Sequence, residues 1–139
     1  MTIVLDTNVV IRMFGRQSTL RRLMEAVSYG EISVALSPAI WLEYEEVCQE
    51  LRSPGHWEKL QKLFTLVSNA HGTIIHTNPA FRFQTIPSVP DDNAFADCAI
   101  AAHAYFILTD DGDYQTLRNA GYKPQPMRPE EFIARHLKP

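Results

Sequence analysis

At 139 residues the chain has the length of one domain, and 45% apolar against 21% charged residues excludes a disordered, collagen-like or repeat architecture and any need for disulfides or a structural metal. Thirteen Lys and Arg stand against sixteen Asp and Glu, a net charge of -3, so the balance of charge alone does not mark a nucleic-acid binder. The apolar stretches Ile32 to Leu42 and Cys98 to Thr109 are far short of the ~20 residues of a membrane span, and the longer uncharged stretch Leu63 to Phe81 is broken by two histidines, a glycine and a proline. The first residues reach Asp6 without a basic leader, which predicts no signal peptide. Cys48 and Cys98 lie in apolar, helical contexts and read as buried free thiols, in keeping with a reducing cytoplasm.

Thr2 to Leu5 (TIVL) is a short apolar run that predicts a buried strand, followed by a turn at Asp6-Thr7-Asn8. Leu20 to Ser28 carries apolar residues at helical spacing. Ile32 to Leu36 (ISVAL) predicts a second strand, and Ser37-Pro38 supplies an N-cap and a first-turn proline for a helix to about Leu51. A further helix is expected from about His56 to Ala70, then a short strand from Thr73 to His76. Residues 77 to 90 hold three prolines and read as a long loop. Asp92 and Asn93 cap a helix to about Ala104. Phe106 to Thr109 (FILT) predicts another buried strand that delivers Asp110-Asp111-Gly112-Asp113. A helix from about Tyr114 to Asn119, a proline-rich stretch from Lys123 to Pro129, and a last helix from Pro129 to Leu137 complete the chain. Continuous apolar strands alternating with amphipathic helices predict a single α/β domain over residues 1–139. Its expected form is three layers, α/β/α, with a central parallel sheet.

The aspartates are not scattered. All seven fall at Asp6, in the group Asp91, Asp92 and Asp97, or in the group Asp110, Asp111 and Asp113. Two apolar strands end in aspartate, and open parallel sheets bind ligands outside the carboxyl ends of their strands. Turn chemistry would explain either one alone. Asp97 shares a helical face with Asn93, Ile100, Ala101 and Ala104, where a carboxylate is costly unless paired or metal-bound. An arginine from elsewhere, such as Arg12 or Arg118, is the plain alternative partner. Glu43 sits at the edge of the buried stripe of its helix, whereas Glu45 and Glu46 turn toward solvent. Asp6, Glu43, Asp97 and Asp111 therefore point to one acidic pocket. Two carboxylates ~4 Å apart repel by about 4 kcal/mol at an effective dielectric of 20, so several together call for cations. Oxygen ligands without His or Cys select Mg²⁺ or Mn²⁺. Such ions suit phosphodiester hydrolysis by a nuclease or phosphatase. The five histidines lack zinc-helix spacing, and no P-loop, GxGxxG or GxSxG occurs. Arg12, Arg16, Arg21 and Arg22 follow the Asp6 turn, as phosphate contacts or as a solvated basic face.

Five segments carry a resemblance: IVLDTNVV (3–10), LSPAIWLEYEEV (36–47), PDDNAFADCAIAAHA (90–104), ILTDDGDYQTL (107–117) and RPEEFI near the end. Together they resemble the PIN-domain ribonucleases, in particular the bacterial VapC-like toxin components of toxin–antitoxin pairs. The resemblance implies a PIN-like fold and an acidic quartet that holds divalent metal and cuts RNA. By motif position the quartet is similar to Asp6, Glu43, Asp97 and Asp111. Asp92 and Asp113 are accessory acids, and Asn8 and Thr109 are polar groups that orient the carboxylates. The implied metal ligands are Asp6, Asp92, Asp97, Asp111 and Asp113. Asp110 stands where the family carries glycine or another small or basic residue, which leaves both Asp110 and Asp111 as candidates for the fourth acid. The resemblance further implies a homodimer and an antitoxin partner, and the free cysteines a cytoplasmic location. Two rival readings come from other classes. One is a phosphohydrolase of the haloacid dehalogenase kind with Asp6 as nucleophile, although Asn8 replaces the acid it needs two residues on. The other is a binding module for RNA or protein with no catalysis.

Overall fold

Strands of three and four residues build this fold in a computed structural model, which describes residues 1–15, 18–51, 54–78, 92–111, 114 and 123–139. The strands are β1 (Thr2–Leu5), β2 (Ser33–Leu36), β3 (Ile74–His76), β4 (Phe106–Leu108) and β5 (Gln125–Met127). The helices described are α1 (Thr7–Met13), α2 (Arg21–Ser28), α3 (Pro38–Glu50), α4 (Pro54–His71), α5 (Asp92–Ala101) and α6 (Pro129–His136). Ile3, Val4 and Leu5 are all fully buried, as a strand covered on both faces must be. The sheet runs β3-β2-β1-β4-β5 with every pairing parallel. Helices flank it in a three-layer α/β/α arrangement, as expected. Among the described residues no helix is long and apolar enough to cross a membrane.

The strand order has a direct consequence for where a ligand belongs. From β1 the chain moves outward through β2 to β3, then returns to the other side of β1 for β4 and β5. The order reverses between β1 and β4, and a crevice opens at the carboxyl ends of strands at such a switch point. Register brings those two ends level, with Leu5 opposite Leu108. Pairing continues past them, the Asp6 amide donating to the Leu108 carbonyl at 3.0 Å. Asp6 and the segment Thr109 to Asp111 thus leave the sheet side by side.

Two elements differ from expectation. Asp6-Thr7-Asn8 is not a turn but the start of α1. The Asp6 side chain accepts from the Thr7 amide at 2.8 Å and caps the helix, whose Val9, Val10 and Met13 are buried. The proline-rich stretch after Lys123 contains β5, a three-residue edge strand with Pro126 at its centre. An edge strand tolerates proline because the missing donor faces away from the sheet. The Gln125 amide donates to Tyr105 and the Met127 carbonyl accepts from Thr109, so the strand pairs on either side of the proline. The other elements follow the expected positions, with α5 ending at Ala101 rather than Ala104. All but the first residue of the helix expected over 114–119 and nearly all of the loop expected over 77–90 lie outside the described residues.

Local chemistry explains the helix that matters most for the site. Ser37 has extended backbone, and its hydroxyl accepts from the Ile40 amide at 3.3 Å while Pro38 opens the first turn. Helix α3 then packs on α1, α4 and α5. Tyr44 is fully buried on it and donates from its hydroxyl to the Leu5 carbonyl at 2.5 Å. Burial pushes the Tyr44 hydroxyl well above its ordinary pKa, with the Asp6 charge adding to it. This bond ties α3 to the carboxyl end of β1. Cys48 and Cys98 are both buried and free, as expected.

Candidate active site

Asp6 caps α1 from the end of β1, and both its oxygens are held. Oδ1 accepts from the Thr7 amide at 2.8 Å, and Oδ2 accepts from the Thr109 hydroxyl at 2.7 Å. Thr109 in turn accepts the Asp111 amide on the same hydroxyl oxygen at 2.9 Å. On the other side the Thr7 hydroxyl donates to Glu43 Oε2 at 3.4 Å. A polar relay therefore runs Glu43–Thr7–Asp6–Thr109–Asp111, joining α3, α1, β1 and the end of β4. Asp6, Thr7 and Thr109 are buried, Glu43 half-buried and Asp111 exposed, so the relay passes from the interior to the surface.

Electrostatics single out Asp6. Its pKa is raised, chiefly because burial disfavours the carboxylate; the Thr109 and Thr7 hydrogen bonds act against this, and the charges of Asp111 and Asp110 push it up again. Among the described residues no Lys, Arg or His stands within ion-pair distance of Asp6.

The two adjacent acids after β4 part company. Asp110 pairs with Arg12 at 2.5 Å and with Arg128 at 3.7 Å. Arg12 also pairs with Glu130, so this arginine, an alternative partner for Asp97 on sequence grounds, is engaged elsewhere. Two other arginines considered for phosphates are likewise engaged. Arg22 holds Glu31 at 2.7 Å and the Lys138 carbonyl at 2.7 Å, and Arg21 lies 3.7 Å from Glu25. Arg16 and Arg118 lie outside the described residues.

The described bonds thus gather Asp6, Glu43 and Asp111. Asp97 is buried on α5, between the buried Ala96 and Cys98, and α5 packs on β1, β2 and β4. Asp92 opens α5, but its side chain and the whole of Asp113 lie outside the described residues, and Asn8 is exposed. Thr109 occupies the orienting position expected of it. Thr7 was not anticipated from the sequence. Its signal was present in the Asp-Thr pair, because an N-cap aspartate places the next hydroxyl at the mouth of the same crevice.

Among the described residues no group of three His, Cys, Asp or Glu side chains stands ready to hold a metal. The donors that do converge are oxygens, from Asp6, Glu43, Asp111, Thr7 and Thr109. A carboxylate whose proton affinity is raised by burial and, to a lesser degree, by like charges, with oxygen ligands around it, fits in kind a hard divalent cation. Carboxylate oxygens carry about four acceptor sites, so two hydrogen bonds leave room for coordination.

The family model for the PIN domain matches residues 2–113. The chain belongs to the PIN-domain family. No curated protein and no solved structure matches it. PIN domains are generally nucleases that act on RNA with divalent metal. The match runs from β1 through β4 and Asp111, and so contains all four acids of the expected quartet.

Proposed function

We propose that this PIN domain is a metal-dependent endoribonuclease and the toxin component of a toxin–antitoxin pair, cytoplasmic and homodimeric. One observation carries the nuclease reading. A buried carboxylate with raised proton affinity, Asp6, sits at the sheet's switch point inside a relay that ties it to Glu43 and Asp111. The toxin assignment, the dimer and the antitoxin partner rest on the resemblance of the motifs.

Asp6, Asp92, Asp97, Asp111 and Asp113 would hold Mg²⁺ or Mn²⁺. When bound, such an ion supplies positive charge at the transferring phosphate and acidifies the attacking water. The chain's own residues do the positioning. Thr109 and the Thr7 amide lock the Asp6 carboxylate, so its orientation is fixed before substrate arrives. Thr7 anchors Glu43, which orients the attacking water. Tyr44 fixes α3 against β1 and with it the distance between Glu43 and Asp6. The Asp110–Arg12–Arg128 pairing neutralises one of the two acids after β4, so the crevice is not overloaded with negative charge when an RNA phosphate enters.

Asp6→Asn and Asp97→Asn chains, assayed on single-stranded RNA with Mg²⁺ or Mn²⁺, are expected to lose cleavage. Wild-type rates in both would overturn the catalytic assignment. Tight RNA binding by the wild type without cleavage, with metal present, would instead favour a binding module.

A further inference from the structure

Beyond the acid cluster, the same sheet edge carries a hollow of about 730 Å³ lined by α3, α4 and the segments that follow β2 and β3. Its floor includes Trp41 and Phe64, whose rings stack at 5.7 Å with 27° between planes. Its rim includes His76, Asn69 and Asn78, all exposed. Among the described residues none of its lining side chains is acidic, in contrast to the crevice beside it.

We propose that this hollow is a nucleobase subsite for the RNA strand whose phosphate is held at Asp6, a proposal that rests on the nuclease reading and names where its sequence preference resides. Position is the first support. All strands are parallel, so the ends of β2 and β3 lie on the same edge as Asp6, one and two strands away. At ~4.8 Å per strand the hollow lies roughly 5–10 Å from the cut, a span of two or three stacked nucleotides at about 3.4 Å each. Size is the second, since a few hundred cubic ångströms is the scale of small-ligand sites. Chemistry is the third. Unpaired bases are recognised by stacking on aromatic rings and by hydrogen bonds to their edges. A half-buried indole with two carboxamides and an imidazole beside it offers both, and among the described lining residues no carboxylate stands to repel a phosphodiester chain.

The test uses the Asp6→Asn chain, so that RNA is not cut. Six-residue oligo(U), oligo(A) and oligo(C) are titrated while NMR follows the side-chain signals of Trp41, Asn69, Asn78 and His76. The expected result is a shift of these signals whose size depends on the base, with Trp41→Ala weakening the favoured hexamer between about fivefold and about a hundredfold. Trp41→Phe is expected to restore most of the loss. Because Trp41 also packs on Trp57 and Tyr44, the exposed His76→Ala and Asn78→Ala variants provide an independent readout, a changed ranking of the three hexamers. Hollow signals unmoved while the Thr7 and Thr109 amides respond would overturn the subsite, leave the nuclease reading standing, and hand the hollow to a protein partner. Base-dependent hollow signals in a protein whose wild type cuts no RNA would support the subsite and sink the nuclease reading. No response anywhere would overturn both.

Discussion

Replacing Asp6 by Asn is expected to abolish cleavage and at the same time stabilise the metal-free fold at neutral pH. The Asp6 pKa is raised in the folded protein, burial outweighing the hydrogen bonds from Thr109 and Thr7. A carboxyl group that holds its proton more tightly when folded lowers stability as pH rises from its unfolded value through its folded one, because the native state binds more protons in that window. Below the unfolded value both states are protonated and nothing is lost; above the folded value the full cost is present. Asparagine removes the charge and keeps the cap, since Asn and Asp serve about equally at that position. Its amide also sits opposite the Thr109 hydroxyl oxygen, which can accept from it. Exchanging the charge-assisted bond for a neutral one costs about 1 kcal/mol. The raised pKa means that the penalty on the charge exceeds the help its bonds provide, so the net gain is expected at about 0.5–2 kcal/mol. For a chain of this size 1 kcal/mol shifts the melting temperature by about 4 °C. Thermal melts of both chains in EDTA between pH 3 and pH 8 should show a gap in favour of the variant that is absent at the acid end and opens as pH rises. Saturating Mg²⁺ should shrink or reverse the gap at pH 7, because only the wild type gains stability by binding it, about 2.7 kcal/mol at a hundred times its Kd. A variant that melts at or below the wild type at pH 7 in EDTA would refute the reasoning, since Asp6 would then carry no uncompensated charge.

Further outcomes follow from neighbouring contacts. Thr109→Val removes the hydroxyl shared by Asp6 and Asp111; cleavage should fall about 10- to 100-fold and Asp6 should titrate still higher by NMR, with Thr109→Ser restoring both. Tyr44→Phe strands the Leu5 carbonyl and should cost about 1–3 kcal/mol in urea unfolding; an unchanged midpoint would mean the bond contributes nothing. Gly30→Ala and Gly72→Ala form a matched pair. Both glycines have positive φ, +70° and +65°, but a Cβ at Gly30 would lie 2.7 Å from His71 Cγ, whereas at Gly72 it meets nothing within 4 Å. Gly72→Ala should cost about 1–2 kcal/mol from backbone strain alone, and Gly30→Ala distinctly more; equal losses would remove the clash from the explanation.

Much of the sheet was legible because buried parallel strands are written as uninterrupted apolar runs, and TIVL, SVAL and FIL are such runs. Helix α3 was legible to within a residue because Ser37 and Pro38 mark its start by local chemistry alone. Helix α1 was not, because an aspartate after a strand serves a turn or a cap equally well, and only the buried side of Val9, Val10 and Met13 separates the two. Strand β5 was hidden by its proline, which argues against a central strand and is silent about an edge. In the site, the candidate acids could be named from their types and positions and Thr109 from the resemblance, but the Thr7 hydroxyl and the bonds that join Asp6, Glu43 and Asp111 could not. Thr7 reaches a residue 36 positions away and Thr109 one 103 positions away, and only the folded register puts them there.

The end of β4 shows how much one register decides. Thr109 still pairs with β5, and the chain then bends at Asp110 in a turn that the Asp111 amide closes on the Thr109 hydroxyl. The turn sends the neighbouring side chains to different partners. Thr109 reaches Asp6, Asp110 reaches Arg12 and Arg128 on α1 and just before α6, and Asp111 acts on Asp6 more strongly than Asp110 does. Two neighbouring aspartates, indistinguishable as residue types, are thereby given different work: Asp110 is neutralised at the surface, and Asp111 adds charge beside the buried carboxylate. This division supports Asp111 as the fourth acid and accounts for an aspartate at position 110, where a small or basic residue was the expectation. The extra negative charge is tolerable there because Arg12 and Arg128 lie against it.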